Sequence, residues 1–159
     1  MSINYVIIFG ATYLIFVIAL VAVFYFLFQP RARKKDIIIF IAVTVPIIYL
    51  LSFIASGFYY NSRPFVVGHF VPLVFHGNTN GFPSDHTLAS AAMAVIIFRS
   101  NKKLGVILLL LALLVGISRV LAGVHHAVDV FASLVIAVIV GWLSNQFIFA
   151  KVKTYFINK

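Results

Sequence analysis

The sequence predicts an all-α fold: a single domain over residues 1–159, built as a polytopic bundle of about five transmembrane helices. Hydrophobic residues occupy 64% of the 159 positions. Charged residues occupy only 9% of them, against ~25% in soluble domains. Several apolar runs approach or exceed the ~20 residues that a helix needs to cross a bilayer. A soluble globular protein is therefore excluded, because too few polar residues are present to cover its surface.

Each predicted span follows from one apolar run. The spans lie at about residues 5–28, 37–58, 84–102, 104–124 and 127–150, and a long outer loop occupies residues 59–83. The span at 84–102 has the shortest apolar stretch, so it crosses only if its polar first turn lies within the membrane boundary. The first span is not expected to be a cleaved signal peptide, because no basic residue precedes it and its apolar run is too long.

The Lys and Arg residues predict that the N-terminus lies outside and the C-terminus inside. Of the twelve, ten fall within residues 31–35, 99–103 and 151–159, and the other two are Arg63 and Arg119. Cytoplasmic segments carry the excess of positive charge. This distribution accounts for the net charge of +9 without a nucleic-acid partner. The absence of Cys excludes a disulfide scaffold and a thiolate zinc site.

The outer loop is long for a connection without regular structure, and such loops are often functional. Its middle, residues 65–75, is apolar. In one interpretation this segment dips into the membrane interface, contacts lipid and forms the wall of a route for lipid access. In the other it forms a short helix packed across the end of the bundle.

The remaining ionisable residues gather toward the outer ends of the helices. They are Arg63, Arg119, Asp85, Asp129, His69, His76, His86, His125 and His126. Ionisable side chains near hydrocarbon are costly and usually mark a functional site. Most of them fall in three short motifs.

The first two motifs supply groups that bind anions. Pro64 biases Arg63 away from helical geometry, which aims its guanidinium at a fixed point; the alternative is an interfacial Arg that binds lipid headgroups. In the P-S-D-H motif at residues 83–86, Ser84 is a candidate N-cap, and the free N–H groups of a helix N-terminus bind anions. The alternative there is ordinary capping beside an interfacial His.

The third motif pairs a histidine with a carboxylate. His125 and Asp129 are four positions apart and would share one face of a helix. The carboxylate can then hold one ring nitrogen and leave the other nucleophilic. His126 is an alternative partner for Asp129. A metal site built from these three residues is a weaker interpretation, because three ligands so close on one helix make a poor tetrahedral set.

Together the motifs contain the parts that phosphoryl transfer requires. They offer two guanidinium groups and a helix N-terminus for an oxyanion, a His–Asp pair as nucleophile, and a second His as acid. A serine hydrolase based on Ser84 is a weaker interpretation. No G-x-S-x-G elbow is present, and two arginines suit a phosphate better than an ester carbonyl.

In this order the motifs resemble the signature of the type 2 phosphatidic acid phosphatase (PAP2) superfamily, membrane lipid phosphatases related to vanadium haloperoxidases. The family pattern is K-x6-R-P, P-S-G-H and S-R-x5-H-x3-D. It is matched here by Arg63-Pro64, by Pro83-Ser84-Asp85-His86, and by Ser118-Arg119 with His125 and Asp129. The resemblance covers about residues 58–141, a PAP2/haloperoxidase-like core, and is closest to the bacitracin-resistance-type undecaprenyl-diphosphatases.

Three departures accompany the resemblance. Ser56 stands where the family has the Lys of its first motif, so one phosphate contact is missing. Asp85 replaces the Gly of the second motif, a variant shared with the bacitracin-resistance branch. With about five spans instead of the usual six, the chain lacks one N-terminal helix of the family.

The resemblance implies a catalytic set of His125, His86 and Asp129. His125 would attack the terminal phosphorus and form a phosphohistidine, with Asp129 orienting its ring. His86 would protonate the leaving oxygen and then activate water. No metal and no cofactor are implied.

The resemblance also implies that Arg63, Arg119 and Ser84 bind the phosphoryl oxygens. Asp85 is counted with this phosphate-binding set. The alternative for Asp85 is a first-turn charge that stabilises the start of its helix.

The implied function is hydrolysis of undecaprenyl diphosphate at the outer face of the bacterial plasma membrane, which agrees with the predicted orientation. One alternative is the same chemistry on phosphatidylglycerol phosphate, phosphatidic acid or another lipid phosphate. Another is a non-catalytic lipid-diphosphate binder or scramblase. Transport through the histidines is a weaker interpretation, because transport sites lie near the bilayer midplane.

Overall fold

The computed structural model describes residues 3–149 and 152, and the regular structure in that part is helical throughout. The elements are α1 (Ile3–Thr12), α2 (Leu14–Leu27), α3 (Arg31–Phe58), α4 (Pro64–Val67), α5 (Asp85–Ser100), α6 (Lys102–Leu121), α7 (Ala127–Leu143) and a π-helical turn (Ser144–Ile148). This confirms the predicted all-α class. The predicted end of the last span, residue 150, lies outside the described residues.

Within the described residues, three helices are long and apolar enough to cross a membrane: α3, α6, and α7 with its π-helical turn (Ala127–Ile148). The pair α1 and α2 forms a fourth candidate, bent by 47°. Helix α5 has 16 residues, or ~24 Å at 1.5 Å per residue, and is shorter than a full span. A helical membrane bundle is therefore confirmed, while the count of five spans and the orientation stay predictions.

The first predicted span, residues 5–28, is divided in two. Helix α1 ends at Thr12, Tyr13 occupies the junction, and α2 continues at the 47° angle. A kink arises where a side chain enters the hydrogen-bond ladder of a helix. Here Arg119 of α6 donates to the carbonyl oxygen of Ala11 at 3.2 Å. Residues 5–28 hold no charged residue and were therefore predicted as one continuous span.

Helix α5 lies at the centre of the bundle, packed against α2, α3, α6 and α7. Its small side chains Ser90, Ala91, Ala92 and Ala94 are buried. Small residues let helix backbones approach closely. The central position brings the first turn of α5, which starts at Asp85, into the end of the bundle where polar side chains collect.

The exterior of the bundle is apolar, whereas its interior is polar at the end that holds the first turn of α5. Large apolar side chains face outward along the helices, with Phe53 77% and Phe131 68% exposed. By contrast, five polar side chains of the predicted site are only 0–3% exposed: Arg63, Ser84, Arg119, His125 and Asp129. A membrane supplies the apolar surroundings that such an exterior requires.

The connection between α3 and α5, residues 59–84, folds back over this polar end. Its backbone is held to the α6–α7 turn by hydrogen bonds from Phe65 N–H to the Gly123 carbonyl, 3.2 Å, and from Leu73 N–H to the Ala122 carbonyl, 3.0 Å. The side chain of Phe75, at the far side of the connection, is 99% exposed. The connection contains the short helix of the second interpretation, Pro64–Val67, held against the α6–α7 turn at the bundle end. Contact of its apolar side chains with lipid stays a prediction.

Candidate active site

His125 and Asp129 are brought together at the start of α7. Nδ1 of His125 lies 3.4 Å from Oδ2 of Asp129, and the two side chains are 3% and 0% exposed. The sequence prediction of a shared helix face is wrong in its geometry, because α7 begins only at Ala127. His125 lies in the preceding turn, and the carboxylate reaches back to it from the first turn of the helix.

The contacts of His125 fix which ring nitrogen carries the proton. Nδ1 faces two acceptors, the Gly81 carbonyl oxygen at 2.9 Å and the Asp129 carboxylate. Nε2 faces a donor, Nη1 of Arg63 at 3.3 Å. Nδ1 is therefore the N–H of the neutral ring, and Nε2 carries the lone pair. This is the tautomer of a histidine nucleophile held by a carboxylate.

Burial favours the neutral form of His125. The pKa of its imidazole is lowered by burial, and the hydrogen bond to Asp129 opposes that shift. Arg119 and Arg63 lower this pKa further through their positive charges. The ring is thus unprotonated near neutral pH, which leaves its lone pair available.

Asp129 is satisfied as a buried carboxylate. Oδ1 accepts from Asn61 Nδ2 at 2.7 Å, and Oδ2 accepts from the backbone N–H of His126 at 2.8 Å. The second bond caps the N-terminus of α7, where a negative charge is favourable. One side chain therefore both starts the helix and orients His125.

His126 is not the side-chain partner of Asp129. Its Nε2 instead lies 3.0 Å from the carbonyl oxygen of Ser62. Of the two histidines that the sequence left open, the structure places His125 against the carboxylate.

Arg63 lies deep in the site in extended backbone geometry, with φ −63° and ψ 148°, as Pro64 predicts. Its guanidinium donates to the Val124 carbonyl at 2.9 Å, the Asn80 carbonyl at 3.1 Å and the Thr79 hydroxyl at 3.3 Å. Burial lowers the pKa of Arg63, and the charge of Asp129 opposes this. An arginine nonetheless keeps its charge in a protein, so a fixed cation lies beside Nε2 of the histidine.

Arg119 offers the more available donors. It lies in the last turn of α6, is 3% exposed, and uses Nη1 on the Ala11 carbonyl. Its Nε and Nη2 have no partner among the described residues. A buried planar fork with two unused donors is suited to bidentate binding of a phosphate.

Ser84 occupies the N-cap position of α5, as predicted, but its side chain makes no capping hydrogen bond. Its hydroxyl oxygen instead accepts from the Thr87 hydroxyl at 3.1 Å. Its backbone N–H donates to the Asp129 carbonyl at 3.2 Å, and Ser133 donates to its carbonyl at 2.9 Å. These bonds dock the N-terminus of α5 against α7.

The first turn of α5 carries the other two predicted residues of that motif. Asp85 is exposed and His86 is half-buried. The charged neighbours that act on His86 are Arg119, His125, Asp85 and His76. His86 therefore belongs to the same cluster, whereas Asp85 lies at its exposed edge.

Four residues of the cluster were given no role by the sequence analysis. Asn61 holds Asp129, Gly81 accepts from His125, and Asn80 accepts from Arg63 through its carbonyl. The fourth is His76, whose ring meets that of His125 edge to face with centroids 6.1 Å apart. His76, Asn80 and Gly81 lie in a polar run at residues 76–81, and Asn61 lies two positions before Arg63. This nearness to polar sequence was the signal by which they could have been found.

Ser56 does not supply the missing positive charge of the first motif. Its hydroxyl donates to the Phe53 carbonyl of its own helix at 2.8 Å. Its carbonyl accepts from Asn80 at 3.1 Å. As for a metal, no three His or Asp side chains within the described part of the chain are grouped as ligands.

Comparison with known proteins gives one family and several relatives. Residues 48–153 match the PAP2 superfamily. Undecaprenyl-diphosphatase BcrC of Bacillus subtilis (strain 168) is 32% identical over 142 residues, which cover 89% of this chain and 73% of that protein. The bacitracin transport permease protein BcrC of Bacillus licheniformis is 33% identical over 147 residues, 92% of this chain and 70% of that protein.

A solved structure has the same arrangement of helices. The crystal structure of Aquifex aeolicus LpxE matches with a TM-score of 0.68 and 27% sequence identity. The match covers 89% of this chain and 81% of LpxE. Most of the helical bundle therefore has a fold already seen in a related sequence.

Proposed function

The chain belongs to the PAP2 superfamily, and we propose that it hydrolyses undecaprenyl diphosphate to undecaprenyl phosphate and inorganic phosphate without a metal, at the outer face of the bacterial plasma membrane. The observation that carries this proposal is the state of His125. Its Nδ1 is held by Gly81 and Asp129, while Nε2 presents a lone pair beside Arg63.

The first step is attack on the terminal phosphorus. Nε2 of His125 forms a bond to phosphorus as the bond from phosphorus to the bridging oxygen breaks. His86 gives its proton to that oxygen, and undecaprenyl phosphate leaves. Asp129 stabilises the positive charge that develops on the His125 ring.

The second step is hydrolysis of the phosphohistidine. His86, now unprotonated, takes a proton from water as the water oxygen attacks phosphorus. The bond from phosphorus to Nε2 breaks, which releases inorganic phosphate and restores His125. The two steps together consume one water for each phosphate released.

Charge stabilisation in both steps comes from the two arginines. Nε and Nη2 of Arg119 are unused and buried, so they can bind two phosphoryl oxygens at once. Arg63 adds a third donor beside the nucleophile. The N-terminus of α5 at Ser84 and Asp85 completes the phosphate-binding set. Donors fixed in advance around the developing charge are the largest contribution in phosphoryl transfer.

The relatives and the surface of the molecule support a lipid diphosphate as the substrate. A protein named undecaprenyl-diphosphatase shares 32% of its residues with this chain over most of its length. The polar cluster lies at one end of a bundle whose exterior is apolar. A lipid diphosphate can therefore keep its hydrocarbon in the membrane while its terminal phosphate reaches His125.

The test is phosphate release from undecaprenyl diphosphate by detergent-purified protein in excess EDTA. We expect release by the wild type, none by His125→Ala, and most of the activity in the matched variant His126→Ala, whose ring faces Ser62. Loss of activity in EDTA would contradict metal independence. If phosphate is released faster from phosphatidic acid or phosphatidylglycerol phosphate than from undecaprenyl diphosphate, that glycerolipid is the preferred substrate. Lipid binding without any release would indicate a non-catalytic binder.

A further inference from the structure

His76 lies over the candidate nucleophile although no motif includes it. The α3–α5 connection carries its ring to within 6.1 Å of the His125 ring, centroid to centroid, at an interplanar angle of 78°. The ring is half-buried there. The ring of His76 therefore packs against that of His125 instead of extending into solvent.

One nitrogen of His76 is available to a ligand. Nδ1 lies 3.3 Å from the Gly77 carbonyl oxygen and donates a hydrogen bond to it. Nε2 makes no hydrogen bond within the described residues. The local bond to Gly77 therefore sets the ring orientation and leaves the opposite nitrogen unused.

The charged groups that act on His76 are cationic or neutral. They are Arg63, Arg119 and His125, and no carboxylate is among them. Burial and the charge of Arg63 lower the pKa of His76, so the ring is neutral in the free protein. A polyanion at this point would supply the missing negative charge, favour protonation of the ring, and receive a charge-assisted hydrogen bond from Nε2.

Depth distinguishes His76 from the two arginines. Arg63 and Arg119 are each 3% exposed and His125 is 2% exposed. His76 is half-buried, so its ring lies nearer the surface than these three side chains. A phosphoryl group that reacts with His125 would lie deep, and the next phosphoryl group along a diphosphate would lie nearer the surface.

We propose that His76 binds the second phosphoryl group of a lipid diphosphate, the group that stays on the lipid after cleavage. This inference rests on the proposed phosphatase function and narrows its substrate class to diphosphates over monophosphates. Ser56 stands where the family motif has a Lys. Under this proposal His76, in the α3–α5 connection, provides the phosphate-binding cation that Ser56 does not.

The test compares farnesyl diphosphate with farnesyl monophosphate as substrates in detergent. For His76→Asn we expect kcat/KM on the diphosphate to fall about tenfold or more, the scale of one lost charge-assisted bond. On the monophosphate kcat/KM should stay within about twofold, because no second phosphoryl group is present. The matched control is His69→Asn, since His69 is an exposed histidine of the same connection and should leave both values unchanged.

Equal losses on the two substrates, or no loss on either, would overturn the proposal. If the wild type hydrolyses neither, the proposed function fails, and binding still decides the role of His76. Methylenediphosphonate should then raise the unfolding temperature of the wild type more than methylphosphonate does. His76→Asn should abolish that difference, and an unchanged difference would overturn the inference. Unfolding temperatures without ligand check that both variants fold.

Discussion

Arg119 in the last turn of α6 donates Nη1–H to the carbonyl oxygen of Ala11, 3.2 Å away and 108 positions earlier in the chain. The bond joins the break in the first predicted span to the candidate phosphate site. One edge of the guanidinium is thereby fixed, and the other edge, Nε and Nη2, is directed away from that bond.

Arg119→Lys tests the fork directly. An ammonium group cannot hold the Ala11 carbonyl and also offer two parallel donors to a phosphate. We expect kcat/KM for phosphate release to fall about 10²-fold, the usual loss for one donor to a developing oxyanion.

The control for this substitution is Arg99→Lys. Arg99 lies in the last turn of α5 and donates to Asn145 at 2.9 Å, at the opposite end of the bundle from Arg119. Activity of this control should stay within about twofold, since its charge is retained. Near-normal activity of Arg119→Lys would mean that the arginine does not contact the phosphoryl group.

Gly10→Ala tests whether the position of α1 matters to the site. A Cβ at Gly10 would collide with the Ser118 side chain, next to Arg119. We expect α1 to be pushed away from α6 and the Ala11 carbonyl to be withdrawn, with a stability loss of about 1–3 kcal/mol and a lower kcat. Thermal unfolding and phosphate release measure the two effects.

Gly57→Ala is the matched control because a Cβ there meets nothing within 4 Å. It should leave activity unchanged and raise stability by at most about 1 kcal/mol. If Gly10→Ala behaves in the same way as Gly57→Ala, the contact between α1 and α6 does not position Arg119.

The pH dependence follows from His125. Burial holds the pKa of its imidazole below the ordinary 6.5, so the nucleophile is unprotonated through neutral pH. As pH falls below 6.5 and reaches the lowered pKa, the ring gains a proton and loses its lone pair. We therefore expect the acid limb of the kcat/KM profile to lie below pH ~6.5.

The free energy of unfolding should also decrease as pH falls. The unfolded chain binds a proton at His125 more readily than the folded chain, so stability is present above pH ~6.5 and is lost as pH falls toward the lowered folded value. The slope should decrease in His125→Gln when unfolding is measured between pH 5 and 7. An acid limb centred above pH 7 would contradict the assignment of His125.

Asn80→Ala tests how the α3–α5 connection is held. The side-chain oxygen of Asn80 accepts from the N–H groups of Asn61 and Phe82, and its amide donates to the carbonyls of Ser56 and Tyr59. All four bonds are lost in the variant. We expect stability to fall by about 1–3 kcal/mol and kcat to fall with it, because Arg63 also depends on this turn.

Asn78→Ala provides the comparison, since Asn78 is exposed two positions away. Both its unfolding temperature and its phosphate release should match the wild type within error. Equal behaviour of the two variants would show that the connection is held by its backbone bonds alone.

The sequence was sufficient for the parts of the fold that depend on hydrophobicity and motif spacing. Long apolar runs predicted the helices. The predicted bounds agree with the end of α3 and the start of α7, and they differ from α6 by two or three residues at each end. The predicted start at residue 37 falls six residues inside α3, because the basic segment 31–35 is helical although it is not an apolar run. The placement of the motifs at the outer helix ends predicted one site, and Arg63, His125 and Asp129 lie together in the structure. The four-residue spacing of His125 and Asp129 did not predict how they meet, because His125 precedes α7.

What the sequence could not predict depends on single contacts. The bend at Tyr13 lies beside the hydrogen bond from Arg119 of α6 to the Ala11 carbonyl. A contact with another helix cannot be read from the hydrophobicity of residues 5–28. The role of Asn61 and the position of His76 depend on the path of a connection without periodicity. Such contacts become visible only when the chain is folded.

The three contacts of the Asp129 carboxylate have a consequence for biosynthesis. Its carboxylate starts α7 through His126, orients His125, and holds Asn61 from 68 positions earlier. Under the proposed mechanism, a nascent chain would have no competent nucleophile until α7 has packed beside the earlier segments. Assembly intermediates would then be catalytically silent, and hydrolysis would start only once the bundle has closed around His125 and Asp129.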